Sequence, residues 1–372
     1  MRRWIAAVAM VLGLVACSDD PADQPARPED DEGLSLSQPR AVHRATLLDD
    51  GRVLITGGCT EPGCEGFDAG RTSDLFDPAA GVRTGPSMGT ARASGTATLL
   101  PDGRVLLTGG YPGEGAPPTS TAEIFDPESV SFTSTGDLAV SRADHSASLL
   151  ADGRVLLAGG FDASGRALAS TEIYDPESGQ FASGPDLADA RAAHVATRVG
   201  ELVVVVGGTE DGAALATSEV LEDGRWHSGP TLLTPRVKLG VAALADGRVW
   251  VVGGSTETEG HEKLASTELL DLRREVSTPG PSLPQGEYKL DGAVSILEDN
   301  RVVVPSGDAL AVFDPVGDEL RELAVTTYPA ASFRTVTPLA DGRVLVAGGY
   351  DDDITPTAQA VVVTIPQPAP AA

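Results

Sequence analysis

An arginine recurs along this 372-residue chain at Arg40, Arg92, Arg142, Arg191, Arg236 and Arg334. A guanidinium fork matches a carboxylate at two points, so a ring of such groups would suit a ligand bearing acid groups, an acidic sugar included. In the other reading each Arg braces its surroundings by bonding backbone carbonyls and nearby acidic side chains, and repeats copy structural residues too. His43, His145 and His194 also share one equivalent position. Three imidazoles can bind zinc, but equivalent positions in a repeat are spread apart, which favours a structural role. Residues 351–353 are three consecutive Asp. Carboxylates can hold calcium, yet this spacing fits no calcium loop, and a solvated acidic loop is expected. No Ser-His-Asp spacing, phosphate loop or metal signature stands out, so no catalytic residue, metal or cofactor is assigned.

Composition narrows the classes. Asp and Glu number 54 against 27 Lys and Arg, a formal charge of −27, and only Lys238, Lys263 and Lys289 are lysines. A phosphate backbone repels such a surface, so nucleic acid is not an expected partner. The 43 Gly and 27 Pro argue against a coiled coil, and an apolar share of 41% argues against disorder throughout.

The elements that would position these residues emerge from a repeat. DDGRVLITGG begins at Asp49, and related strings begin at Pro101, Ala151, Val199, Ala245, Glu298 and Ala340. The spacing is about 50 residues, the period of a propeller blade. Each copy holds four strand signals: a run of small residues, an Asp-Gly turn, and a continuous apolar run such as Val53-Leu54-Ile55, which implies burial on both faces. A glycine pair follows, then a third run ending at Asp-Pro, as in Asp126-Pro127, and a fourth opening on Phe132, Phe181 or Trp226. These motifs resemble kelch repeats over about residues 34–365. Departures are Val82, Val276 and Leu320 in place of the last-strand aromatic, and Ser306-Gly307 in place of a glycine pair. The resemblance implies an all-β, seven-bladed kelch-type propeller. The seventh copy lacks a fourth strand, so the segment around residues 33–37 is expected to complete that blade and close the ring.

The turns after the first and third strands are short and repeated, whereas the loops after the second strand vary. Variable loops on a rigid scaffold commonly carry binding. Candidate rim residues are the six arginines with Tyr111, Phe161, Tyr350 and Asp351. The sixth copy has almost no such loop, only about residues 307–309, so a groove is expected there, flanked by blades five and seven.

The N-terminus reads as an address. Arg2 and Arg3 precede an uncharged apolar stretch, residues 4–15, too short to span a bilayer. Its end, Leu14-Val15-Ala16-Cys17, resembles the lipobox of bacterial lipoproteins. That resemblance implies cleavage after residue 16, acylation of Cys17, and a lipid-anchored, extracytoplasmic protein of the bacterial envelope, at the outer membrane or cell surface. Residues 17–33 then form a Pro-rich acidic tether, 34–365 the propeller and 366–372 a disordered tail. With Cys17 acylated, Cys59 and Cys64 are the remaining pair, and such a compartment permits a disulfide. Zinc is the poorer reading, because no His lies near in sequence.

The leading expectation is an envelope-anchored monomeric binding module that takes a protein or glycan on its variable-loop face. The alternative is a kelch-type enzyme acting on sugars, of the sialic-acid epimerase or galactose oxidase kind. The Tyr and His copper ligands of the latter have no matching positions here.

Overall fold

A computed structural model describes residues 31–62, 68–258, 262–325, 328 and 331–367. Its strands form seven four-stranded antiparallel sheets and one two-stranded hairpin; six of the blades run in chain order from inner to outer strand, and the seventh takes its outer strand from the N-terminus. In the first blade these are Arg44–Leu47, Val53–Thr56, Ser73–Asp77 and Gly81–Thr84. The inner strands of the next six are Thr96–Leu99, Ser146–Leu149, Val195–Val199, Gly240–Ala243, Ser295–Ile296 and Thr335–Pro338. The last inner strand lies beside the first, closing a ring. Apart from a 3-10 turn at Asp68–Arg71, the described residues hold no helix, and none is long and apolar enough to cross a membrane.

Closure comes from the N-terminus, as expected. Strand Asp31–Ser35 pairs antiparallel with Gln359–Thr364, Leu34 opposite Ala360 and Ser35 opposite Gln359. The strand begins earlier than the expected propeller boundary, so residues 31–33 belong to the ring rather than the tether. The expected tail also shortens. The Pro366 carbonyl accepts a hydrogen bond from Arg301 Nη1 at 2.7 Å. Residues 1–30, including Cys17, and residues 368–372 lie outside the described residues, so the signal, the anchor and most of the tether do too.

Local chemistry explains the motifs. In the Asp-Gly turn, Gly51 adopts φ +84°, while Asp50 accepts from the Arg52 backbone N–H and pairs with its guanidinium. Asp102–Arg104, Asp152–Arg154, Asp246–Arg248, Asp299–Arg301 and Asp341–Arg343 repeat the pair. At the Asp-Pro turn the carboxylate caps the amide two residues on, as Asp126 does for Glu128. Second strands such as Val105–Thr108 are buried at every residue, because neighbouring blades cover both faces. Leu48, Leu54, Leu75 and Met88 of one blade thus pack on Val105, Leu107 and Phe125 of the next. One expected departure falls one residue off. In the fifth blade Ser277, not Val276, sits opposite Leu270 in the register the aromatics use elsewhere. Val276 is instead exposed.

Candidate functional site

The glycine pairs are docking points between blades. A Cβ on Gly109 would stand 2.3 Å from the Arg142 carbonyl oxygen of the next blade, and Gly110 N–H donates to that oxygen at 2.9 Å. Both glycines have positive φ, so the pair supplies a conformation and a clearance that a side chain would deny. The same arginine then turns its guanidinium into its own blade. Arg142 donates to the carbonyls of Gly159 (2.7 Å) and Ser170 (3.0 Å) and pairs with Glu172 at 2.9 Å. Arg40–Asp74, Arg92–Glu123, Arg191–Glu219 and Arg236–Glu268 repeat the arrangement.

This corrects the expectation that the arginines line a binding rim. Arg40, Arg142, Arg191 and Arg236 are 0% exposed and Arg92 is 4% exposed, each spent on partners inside its blade. Arg334 is not their equivalent. The residue after each brace pairs with the loop beyond the glycines, as Ala93 does with Tyr111; in the seventh blade that residue is Ser332, paired with Tyr350. The brace position there is Ala331, and Arg334 stands where His43 stands in the first blade. The sixth blade has Glu287 at the brace position, its carbonyl accepting from Gly254 N–H at 2.8 Å. Arg334 reaches across to the Gly307 carbonyl at 2.7 Å and to Glu287 at 3.7 Å.

The three histidines are buried separately. His43 bonds Thr335, His145 bonds Thr108 and His194 bonds Ser146, at 3.0, 3.0 and 2.9 Å. Burial, reinforced by nearby arginines, holds all three well below the usual imidazole range, His194 at about 3. Among the described residues no cluster of three or more His, Cys, Asp or Glu is placed to hold a metal. Asp351 is exposed and caps its own loop, accepting from the amides of Asp353 and Thr355. Cys59 is buried and disulfide-bonded, and Cys64 lies outside the described residues.

A candidate surface forms where the chain enters the channel. Val42, Ser94, Asp144, Ala193, Lys238, Lys289 and Phe333, one per blade, all adopt left-handed backbone and line a narrow throat with about 20 Å³ of free space. A belt of backbone bonds links them: Asp144 N–H to Ser94, Ala193 to Asp144, Lys238 to Ala193 and Lys289 to Lys238, at 2.8–3.0 Å. Below, Arg44 pairs with Asp291 at 2.5 Å, tying the first blade to the sixth. Burial raises the pKa of Asp144, partly countered by Ser94 and Lys238.

All three lysines of the chain gather on one side of this throat. Lys289 Nζ lies 4.5 Å from the Tyr288 ring centroid, 4.8 Å from Tyr350 and 5.3 Å from Phe333, and donates to the Tyr350 hydroxyl. Lys263 Nζ lies 5.3 Å from the Tyr288 ring centroid. Burial first, then repulsion from Lys238 and Lys263, lowers Lys289 to about 8. Above this cluster the sixth blade joins Val302–Ser306 to Ala309–Asp314 through Gly307 and Asp308 alone, so the expected gap in the rim is present. Of the other rim candidates, Tyr350 belongs here. Tyr111 instead lines an adjoining groove of about 600 Å³ with Asp162 and Ala163, which meets the throat at Val42 and Ser94, and burial raises it to about 12. Phe161 is half-buried and its backbone bridges Ala143 and Ala167. Sequence reasoning counted the lysines without joining them; their scarcity and their confinement to residues 238–289 were the available signal.

A closed ring of seven blades, with glycine docking at six of the junctions, defines a kelch-type β-propeller. The Kelch motif family model matches residues 144–188, which span the third blade. Among solved structures, one titled "Structure of YjhT" aligns with a TM-score of 0.61, at 13% identity, over 89% of this chain and 96% of that one. That likeness is one of fold. A comparison with curated proteins found no match.

Proposed function

We propose that this propeller is a binding module for an anionic glycan, displayed on the bacterial envelope through a lipid at Cys17. One observation carries the reading: a chain of net charge −27 sets Lys289 among Tyr288, Phe333 and Tyr350, with Lys263 over Tyr288 and Lys238 close enough to repel the Lys289 charge, at the blade whose covering loop is only two residues long. Aromatic faces suit the apolar faces of sugar rings, and ammonium groups suit their carboxylates or sulfates. The surrounding negative charge would repel an acidic polymer everywhere else, so the cluster sets register as well as affinity. The cage geometry supports a glycan over a protein partner. The test is calorimetry with oligogalacturonate against neutral malto-oligosaccharide. Acidic oligomer alone should bind, more weakly as salt rises, and Lys263→Glu should remove the signal. Equal binding of both oligomers would refute the reading.

A further inference from the structure

The Lys289 amine has surroundings that a merely ionic lysine does not need. It is half-buried at the throat, enclosed by Tyr288, Phe333 and Tyr350, and touches the Tyr350 hydroxyl. Among the described residues it makes no ion pair. The nearby carboxylates are engaged elsewhere: Asp291 pairs with Arg44, Glu287 faces Arg334, and Asp144 acts on Lys238. Asp352 bears on Tyr288 instead. Two further ammonium groups, Lys238 and Lys263, stand close enough to repel a charge on Lys289. An amine half-buried among aromatic rings, without an ion pair and repelled by like charge, is an amine poised as a nucleophile.

We infer that Lys289 is a carbonyl-reactive lysine that condenses with a small carboxylated aldehyde or ketone held by Lys238 and Lys263. The amine nitrogen adds to the carbonyl carbon, giving a carbinolamine. The carbon–oxygen bond then breaks, the oxygen leaves as water with both amine protons, and a C=N bond remains. The Tyr350 hydroxyl is placed to pass a proton from the nitrogen to the departing oxygen. The carboxylate-holding half of this inference rests on the anion-binding reading above; the amine chemistry does not.

The free-amine fraction gives the expected selectivity. With Lys289 at about 8, roughly half is neutral at pH 8, against fewer than about one in a hundred for an ordinary lysine side chain. Lower basicity takes back part of that advantage, leaving about tenfold. The experiment treats the full chain with glyoxylate and cyanoborohydride, maps the adducts by mass spectrometry, and compares the three lysines with one another. Lys289 should be modified about tenfold faster than the exposed Lys263, with a rate that rises through pH 8. Lys289→Arg, which keeps a cation but has no amine able to condense, should abolish the fast phase. Acetaldehyde run in parallel separates the two claims: equal preference for Lys289 keeps the amine chemistry and removes its carboxylate-holding half. Modification that follows exposure, Lys263 first with either carbonyl, overturns the inference even if oligogalacturonate still binds.

Discussion

Arg142→Ala should cost stability and leave binding alone. The substitution removes donors to the Gly159 and Ser170 carbonyls and strands Glu172, which is 4% exposed and still accepts from the amides of Ala139 and Val140 at 2.7 and 3.1 Å. Removing one member of a buried ion pair costs about 3–5 kcal/mol. For a ring of roughly 330 residues unfolding as one unit, an entropy near 2.1 cal/mol/K per residue gives ~0.7 kcal/mol/K, so Tm should fall by about 4–7 °C. The control is Arg154→Ala, whose partner Asp152 lies 2.7 Å away but whose side chain is 47% exposed; surface pairs contribute at most about 1 kcal/mol, so its Tm should move by less than ~1.5 °C. Differential scanning calorimetry with and without oligogalacturonate gives both readings. Arg142 does not brace its blade if Arg142→Ala melts like Arg154→Ala, or melts like wild type while losing the ligand.

Other consequences can be checked alongside. Gly109→Ala should prevent folding, since its Cβ would meet the Arg142 carbonyl at 2.3 Å with φ at +59°; a soluble, normally melting variant would contradict inter-blade docking. Leu36 is buried in the cluster that joins the last blade to the first, and Leu36→Ala should cost about 2–4 kcal/mol in denaturant titration. The buried histidines stay neutral in the fold, so their contribution is complete above about pH 6.5 and is lost as pH falls toward about 3 for His194. Each adds a slope of up to about 1.4 kcal/mol per pH unit in that window, and His194→Asn should flatten the melting profile there. Asp144 runs the other way: its raised pKa makes ionisation costly, so stability falls as pH rises through that value. Asp144→Asn should therefore raise Tm at pH 7 and change little at pH 3.

What could be read beforehand divides by range. Asp-Gly-Arg turns, Asp-Pro turns and doubly buried second strands are set by neighbours in sequence, so seven blades and their closure were legible. The arginines were visible, but their role depends on partners about 30 residues away, such as Glu172 for Arg142, and on whose carbonyl fills the glycine pocket. Arg334 looked equivalent because it too precedes an inner strand. Only the pairing of Ser332 with Tyr350 shows the offset. The lysine cluster joins Lys238 and Lys263 of the fifth blade to Tyr288 and Lys289 of the sixth and to Phe333 and Tyr350 of the seventh; the Tyr288-Lys289 pair is local, but its meeting with the others is set by the order of the blades.

The central claim is that ligand binds at the lysine–aromatic rim and not along the arginines. Lysine-selective isotope labelling gives an NMR spectrum with one signal for each of Lys238, Lys263 and Lys289. Titration with oligogalacturonate should shift all three together and saturably, with Lys289 Nζ titrating near 8 in the free protein. Signals that stay fixed while calorimetry reports binding would place the ligand elsewhere, the Tyr111 groove first, and would contradict the account.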